Sequence, residues 1–186
     1  VVLYFLNMLS GRIEKVASFM NPQNIYGADI ISRITYCQEN ENGLKDLRQV
    51  IINSINTDLD RFRLIKGISS DSFERIIVAG NTTMLHLLMG EDPVSIALAP
   101  FTPRFTGMQV RKGDSSGLNI NPLADLITLP CISAYVGADI VAGLAVIKPV
   151  YRNYLFIDIG TNGEMALVKG DRIFTCATAA GPAFEG

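Results

Sequence analysis

The sequence predicts an α/β protein with mixed sheets flanked by helices, arranged as two related halves. Three observations predict it. Short apolar runs of the buried-strand kind, IIVAG (76–80) and LITLPC (126–131), alternate with amphipathic helical stretches, the pattern of a sheet covered by helices. The stretch YLFIDIGTNGE (154–164) reads as a buried strand, a tight turn and a returning strand, since Asn-Gly between apolar runs is a strong hairpin signal. Finally, residues 1–23 and 163–182 share one grammar of strand, glycine turn, strand, small polar loop and proline, and self-similarity of this kind argues for repeated units.

Composition narrows the class. In 186 residues, 48% are hydrophobic and 18% charged, which supports a packed core and excludes disorder. A formal net charge of −2 gives no electrostatic case for nucleic acid or an anionic membrane. No apolar run approaches the ~20 residues of a membrane span, and no charged, cleavable leader opens the chain. Cys37, Cys131 and Cys176 are far apart with no CxxC pair, so neither zinc nor an iron–sulfur cluster has its usual ligand spacing. Free core thiols in a reducing cytoplasm are expected. The first residue is Val1, inside an apolar run, and the chain is read as a piece of a longer protein.

In order along the chain, 1–7 and 13–19 read as strands around a Ser10-Gly11 turn. Asn21-Pro22 opens a helix, with Asn as cap and Pro at the first helical position. Ala28, Ile30, Ile31 and Ile34 form its apolar side, and Asp29 with Arg33 has the spacing of a surface ion pair. Leu44, Leu47, Ile51, Ile55, Leu59 and Phe62 predict a long amphipathic helix capped by Gly67. The strand at 74–80 runs into a short helix, 84–89, behind Asn81-Thr82-Thr83. His86, the sole histidine, lies between leucines and is expected to be packed and neutral. Residues 93–121 read as an irregular insertion, 126–131 as a buried strand and 133–147 as a helix. The meander of 154–177 follows, and Pro182 is placed to start another helix.

Chemistry concentrates in two places. At the DIGTNG corner, Gly160 and Gly163 let backbone approach a ligand, and successive N–H groups form a concave anion site around Thr161 and Asn162. Asp158 beside it suits a hydrated Mg²⁺, which takes one or two carboxylates plus phosphate oxygens. The plain alternative is a hairpin whose glycines serve the turn. Asn81, Thr82 and Thr83 offer N–H groups and hydroxyls to an anion, against simple helix capping. Asp139, in the first turn of its helix, either complements the helix dipole or faces the same cleft as Asp158.

With these residues in hand, the order of elements resembles the actin-like ATPase superfamily. NPQNIYGADIISRI, GNTTMLHLLMG, LPCISAYVGADIVAG and IDIGTNGEMAL followed by TAAGPAFEG are similar to the ATPase portion of reductive activators of corrinoid proteins. The resemblance implies a ribonuclease-H-like (actin-like ATPase) fold. Residues 1–150 would be a first half lacking its first strand, with the insertion at about 93–121, and 151–186 the start of a second. A matching strand and Asp-Gly-Thr turn is expected ahead of Val1. The resemblance also implies ATP and Mg²⁺ as cofactors. Gly160, Thr161, Asn162, Gly163 and Glu164 would lie against phosphates, with Asp158 near the metal and Asp139 near the metal or the attacking water, the two as the catalytic pair. Asn81, Thr82, Thr83 and Gly181 would line the cleft. The implied partner is the corrinoid protein of a methyltransferase system, whose Co(II) is returned to Co(I), with a [2Fe–2S] cluster in a region outside this chain. Assembly as a homodimer stays open. This piece alone is expected to be inactive. A small-molecule kinase of the same superfamily, or a nucleotide-gated binding module without turnover, remain as alternative readings.

Overall fold

The computed structural model describes residues 1–147, 151–160 and 163–178. Two strands, β1 (Val2–Leu6) and β2 (Ile13–Ser18), pair antiparallel and open the chain. A 3₁₀ turn at Pro22–Ile25 leads to α1 (Ile30–Glu39) and the long α2 (Gly43–Lys66). The second sheet has the order β3-β5-β4: β3 (Arg75–Val78) runs parallel to β5 (Asp125–Thr128), and β4 (Gln109–Lys112) lies antiparallel on its other side. Between them come α3 (Thr82–Met89), α4 (Val94–Ala97) and α5 (Gly113–Ser116). The chain then forms α6 (Ala138–Val146) and an antiparallel meander of β6 (Asn153–Ile159), β7 (Gly163–Lys169) and β8 (Arg172–Thr178). This is the mixed α/β architecture expected. The shared grammar of the two segments appears as two antiparallel pairs, β1 with β2 and β7 with β8.

The main core gathers on α2. Ile51, Ile52, Ile55, Leu59 and Phe62 face Phe5 from the first sheet and Leu126 from the second. Phe5 stacks on Phe62 with ring centroids 4.2 Å apart, a contact that adds to the burial of both rings. Gly67 ends α2 in the left-handed conformation at φ 65°, as its sequence position indicated. One side of the meander packs on α6 through Val136, Ile140 and Ala166.

Four sequence expectations are corrected. The helix expected from Asn21 breaks at Gly27, where a Cβ would sit 2.8 Å from Arg33 N. Asp29 starts a new helix as its cap: its carboxylate accepts from Ser32 N at 2.7 Å, and Ser32 Oγ accepts from Asp29 N at 3.1 Å. The Asp29–Arg33 surface pair therefore does not form. Arg33 is buried and donates to Gly27 O at 2.9 Å and Asn24 Oδ1 at 2.7 Å, so its charge serves to close the turn before α1. The helix expected from Ser133 begins only at Ala138, because Ile132 N and Ser133 N both turn back to Val136 O. Lastly, Cys176 is exposed rather than in the core, while Cys131 is buried and Cys37 half-buried. Among the described residues, no helix is long and apolar enough to cross a membrane.

His86 is packed as expected. Thr82 O, 2.7 Å from Nδ1, can only accept, so Nδ1 carries the proton. Nε2 then accepts from Arg104 N at 3.1 Å and Phe105 N at 3.4 Å, and the Phe105 ring stacks on the imidazole at 4.1 Å. Burial pushes the His86 pKa below its ordinary 6.5. The unfolded chain thus takes up a proton that the native imidazole refuses, and stability is lost as pH falls below 6.5. Melting temperatures across a mildly acidic pH series should decline below that point, and the decline should flatten in His86→Gln.

Candidate functional site

The site is assembled where two helix starts meet a hairpin. Strand β3 passes through Ala79 and Gly80 to Asn81, which caps α3: its Oδ1 accepts from Met84 N at 2.9 Å. Thr82 and Thr83 are buried, and the Thr82 hydroxyl donates to Ser133 O at 2.7 Å. At this edge the structure therefore uses Asn81 as a cap and Thr82 as a strut to the turn before α6. That turn delivers Gly137, the residue preceding α6, against the β3–α3 corner. Ala138 N donates to Gly80 O at 2.9 Å, so the N-termini of α3 and α6 are locked together by backbone.

Asp139 then stands in the first turn of α6. Burial raises its carboxyl above the usual 3.8, the backbone N–H of Ile140 and its own N–H oppose the rise, and the charge of Asp158 adds to it. Asp158 comes from the tip of β6 and is the direct cross-strand partner of Glu164 on β7. Directly opposed residues of an antiparallel pair share one face with Cβ atoms ~5 Å apart. Glu164 is 9% exposed and has no hydrogen bond or ion pair among the described residues. Burial raises its carboxyl above 4.5, and the charges of Asp139 and then Asp158 raise it further. Asp158 and Glu164 thus share one face of the hairpin, Asp139 is near enough for the charges to act on one another, and no cationic side chain is paired to the three among the described residues.

Gly163 pairs with Ile159 at the start of β7, and Gly160 is an exposed bend just past β6. Thr161, Asn162 and Gly181 lie outside the described residues. An opening of about 430 Å³ lined by Asp60, Arg63, Ser70, Leu118, Asn119 and Ile120 includes none of these candidates.

The all-carboxylate donor set is of the kind that hard, oxygen-liganded cations take. Among the described residues no three His, Cys, Asp or Glu side chains converge to hold a metal. Mg²⁺ commonly takes one or two carboxylates together with phosphate oxygens, and Asp158 with Glu164 could supply the carboxylates.

Two family descriptions match the chain: "RACo middle region" over residues 1–149 and "C-terminal domain of RACo the ASKHA domain" over residues 152–186. The chain belongs to the RACo family. Among RACo relatives, the corrinoid activation enzyme RamQ of Eubacterium limosum is 32% identical over 100% of this chain and 31% of its own length. The [Co(II) methylated amine-specific corrinoid protein] reductase of Methanosarcina barkeri is 32% identical over 74% of this chain and 27% of its own. A solved RACo-type structure, the reductive activator for corrinoid,iron-sulfur protein, superposes with a TM-score of 0.89 at 37% identity, covering 100% of this chain and 30% of that one. The fold is accordingly the actin-like α/β fold of the ASKHA class. The chain spans about a third of the length of these RACo relatives.

Of the residues that sequence reasoning singled out, the structure sets Asp158 opposite Glu164 across the hairpin and places Asp139 where its charge acts on Glu164. Sequence reasoning did not single out Gly143 and Phe156, which approach closely where α6 meets the meander. The available signal was a glycine inside a helix, which costs ~1 kcal/mol relative to alanine and asks for a packing reason.

Proposed function

We propose that this chain is the central part of an ATP-dependent reductive activator that returns the cobalt of a corrinoid protein from Co(II) to Co(I). The carrying observation is the family match over residues 1–149 and 152–186, and Asp158 opposed to Glu164 at the tip of the hairpin, beside a glycine-rich corner suited to phosphates, supports it. Residues 1–150 are the first half without its first strand and 151–186 the start of the second, and ATP with Mg²⁺ occupies the cleft between the halves of the parent protein. Asp158 holds the cation, Asp139 the cation or the attacking water, and Glu164 accepts from the surrounding water. Backbone at Gly160 to Gly163 cradles the phosphates, while Asn81 to Thr83 and Gly181 shape the wall. When bound, ATP supplies the free energy that biases the angle between the halves.

The electron comes from a [2Fe–2S] cluster elsewhere in the parent protein, and the partner is the corrinoid protein of a cytoplasmic methyltransferase system. The relatives' named activities on corrinoid proteins support this reading. The test is the absorption spectrum of the Co(II) corrinoid protein mixed with the full-length parent and a reductant. Conversion to Co(I) is expected only with Mg-ATP, and a spectrum indifferent to ATP overturns the proposal.

A further inference from the structure

Gly143 stands four residues after Asp139 on α6, so the two face the same way. Phe156 stands two residues before Asp158 on β6, so these two share a face as well. The pairs are in line. Asp139 and Asp158 are close enough for the charge of one to shift the other, and Gly143 receives the Phe156 ring. A Cβ at position 143 would lie 2.6 Å from Phe156 Cζ and 3.3 Å from both Cε atoms. The ring therefore arrives end-on against the bare helix backbone. Val136, Ile140 and Ala166 are buried around this contact, with Leu144 packed beside it. No turn explains the glycine, since position 143 lies within α6; the close approach does.

We propose that Gly143 is a positioning residue: the Phe156 ring seated in its notch sets the separation of Asp139 and Asp158, and with it the fit of the site to a magnesium nucleotide. This rests on the nucleotide reading above. The N-terminus of α6 is fixed to Gly80 by the Ala138 N–H. Added bulk at 143 pushes on the Phe156 ring, which is hemmed in by Ile140 and Ala166, and through that ring on β6 and Asp158. The side chains that face the notch are apolar, so no charge compensates for a shift.

The experiment compares wild type, Gly143→Ala, Phe156→Leu and the double variant in the full-length protein. Mg-ATP affinity is read by calorimetry and folding by thermal melting. Gly143→Ala should weaken Mg-ATP binding about tenfold, since small misplacements of site groups are costly. The double variant, with the ring tip removed, should return to within about threefold of wild type. Affinity unchanged in Gly143→Ala overturns the proposal, as does a loss that Phe156→Leu fails to restore. Should Gly143→Ala not fold, Phe156→Leu alone decides: slackening the notch should weaken binding about threefold, and unchanged affinity overturns the proposal. If wild type binds no Mg-ATP, the nucleotide reading falls, and the melting temperatures still test the notch. Compensation between the two substitutions is then expected, and simple additivity overturns it.

Discussion

Replacing Gly137 with alanine is expected to destabilise the protein by about 2–3 kcal/mol, the upper range for forcing atoms into a packed site. The backbone at Gly137 has φ −87°, which any residue adopts, so conformation is not the obstacle. Space is. A Cβ there would lie 2.5 Å from Asn81 Cα and 2.7 Å from both Gly80 O and Asp139 Oδ1. Two of these three atoms are backbone and cannot swing aside. The start of α6 must back away from the β3–α3 corner, which puts the Ala138-to-Gly80 and Thr82-to-Ser133 hydrogen bonds at risk. Each is a net ~1 kcal/mol, more if a buried group is left unpaired. Asp139 is carried along, so activation should fall together with stability. Thermal melting of the full-length protein should show a drop of roughly 5–10 °C in the affected transition, at a few degrees per kcal/mol. Gly107→Ala is the control, because a methyl group at that position would meet nothing within 4 Å. An unshifted Gly137→Ala would show that the two helix starts are not locked by contact.

Much of this fold was legible because its signals are local. The apolar spacing of α2, the buried runs of β3 and β5 and the Asn-Gly hairpin each state their structure within a dozen residues. What was illegible depended on partners far along the chain. Asp29 and Arg33 have helix-surface spacing, but whether Arg33 faces water or Gly27 O is decided by the turn that folds back over it. Residues 132–137 have the apolar character of a helix. They turn instead because Ser133 O is claimed by Thr82 and the chain must bring Gly137 against Asn81. The candidate site divides the same way. Asp158 announces itself beside a glycine-rich corner. Glu164 gains meaning only from its register opposite Asp158, and Gly143 only from the ring of Phe156.

Asp158→Asn should lower Mg-ATP-dependent activation by at least about 10²-fold, the range for removing a group that stabilises developing charge. The same change should leave the cation-free protein as stable as wild type or more so. The reason lies in the like-charge grouping. Asp158 and Glu164 are directly opposed across the hairpin, an arrangement that is unfavourable when both are charged, and Asp139 faces them from α6. No cationic side chain among the described residues is paired with the three, and removing one of the like charges should relieve the repulsion between the others. The pH dependence has a definite sign. The carboxyls of Asp139 and Glu164 are raised above 3.8 and 4.5, so across that window the native protein holds protons that the unfolded chain has released. Stability therefore falls as pH rises through it. Removing the Asp158 charge withdraws one cause of both shifts and should shallow the slope. Melting curves recorded with a chelator over the acidic range, beside Co(I) formation rates with Mg-ATP, test both halves of the expectation. Loss of activity matched by a loss of stability would mark Asp158 as a structural residue of the hairpin. Activity lost while stability holds or rises is the pattern of a group kept for the cation it binds.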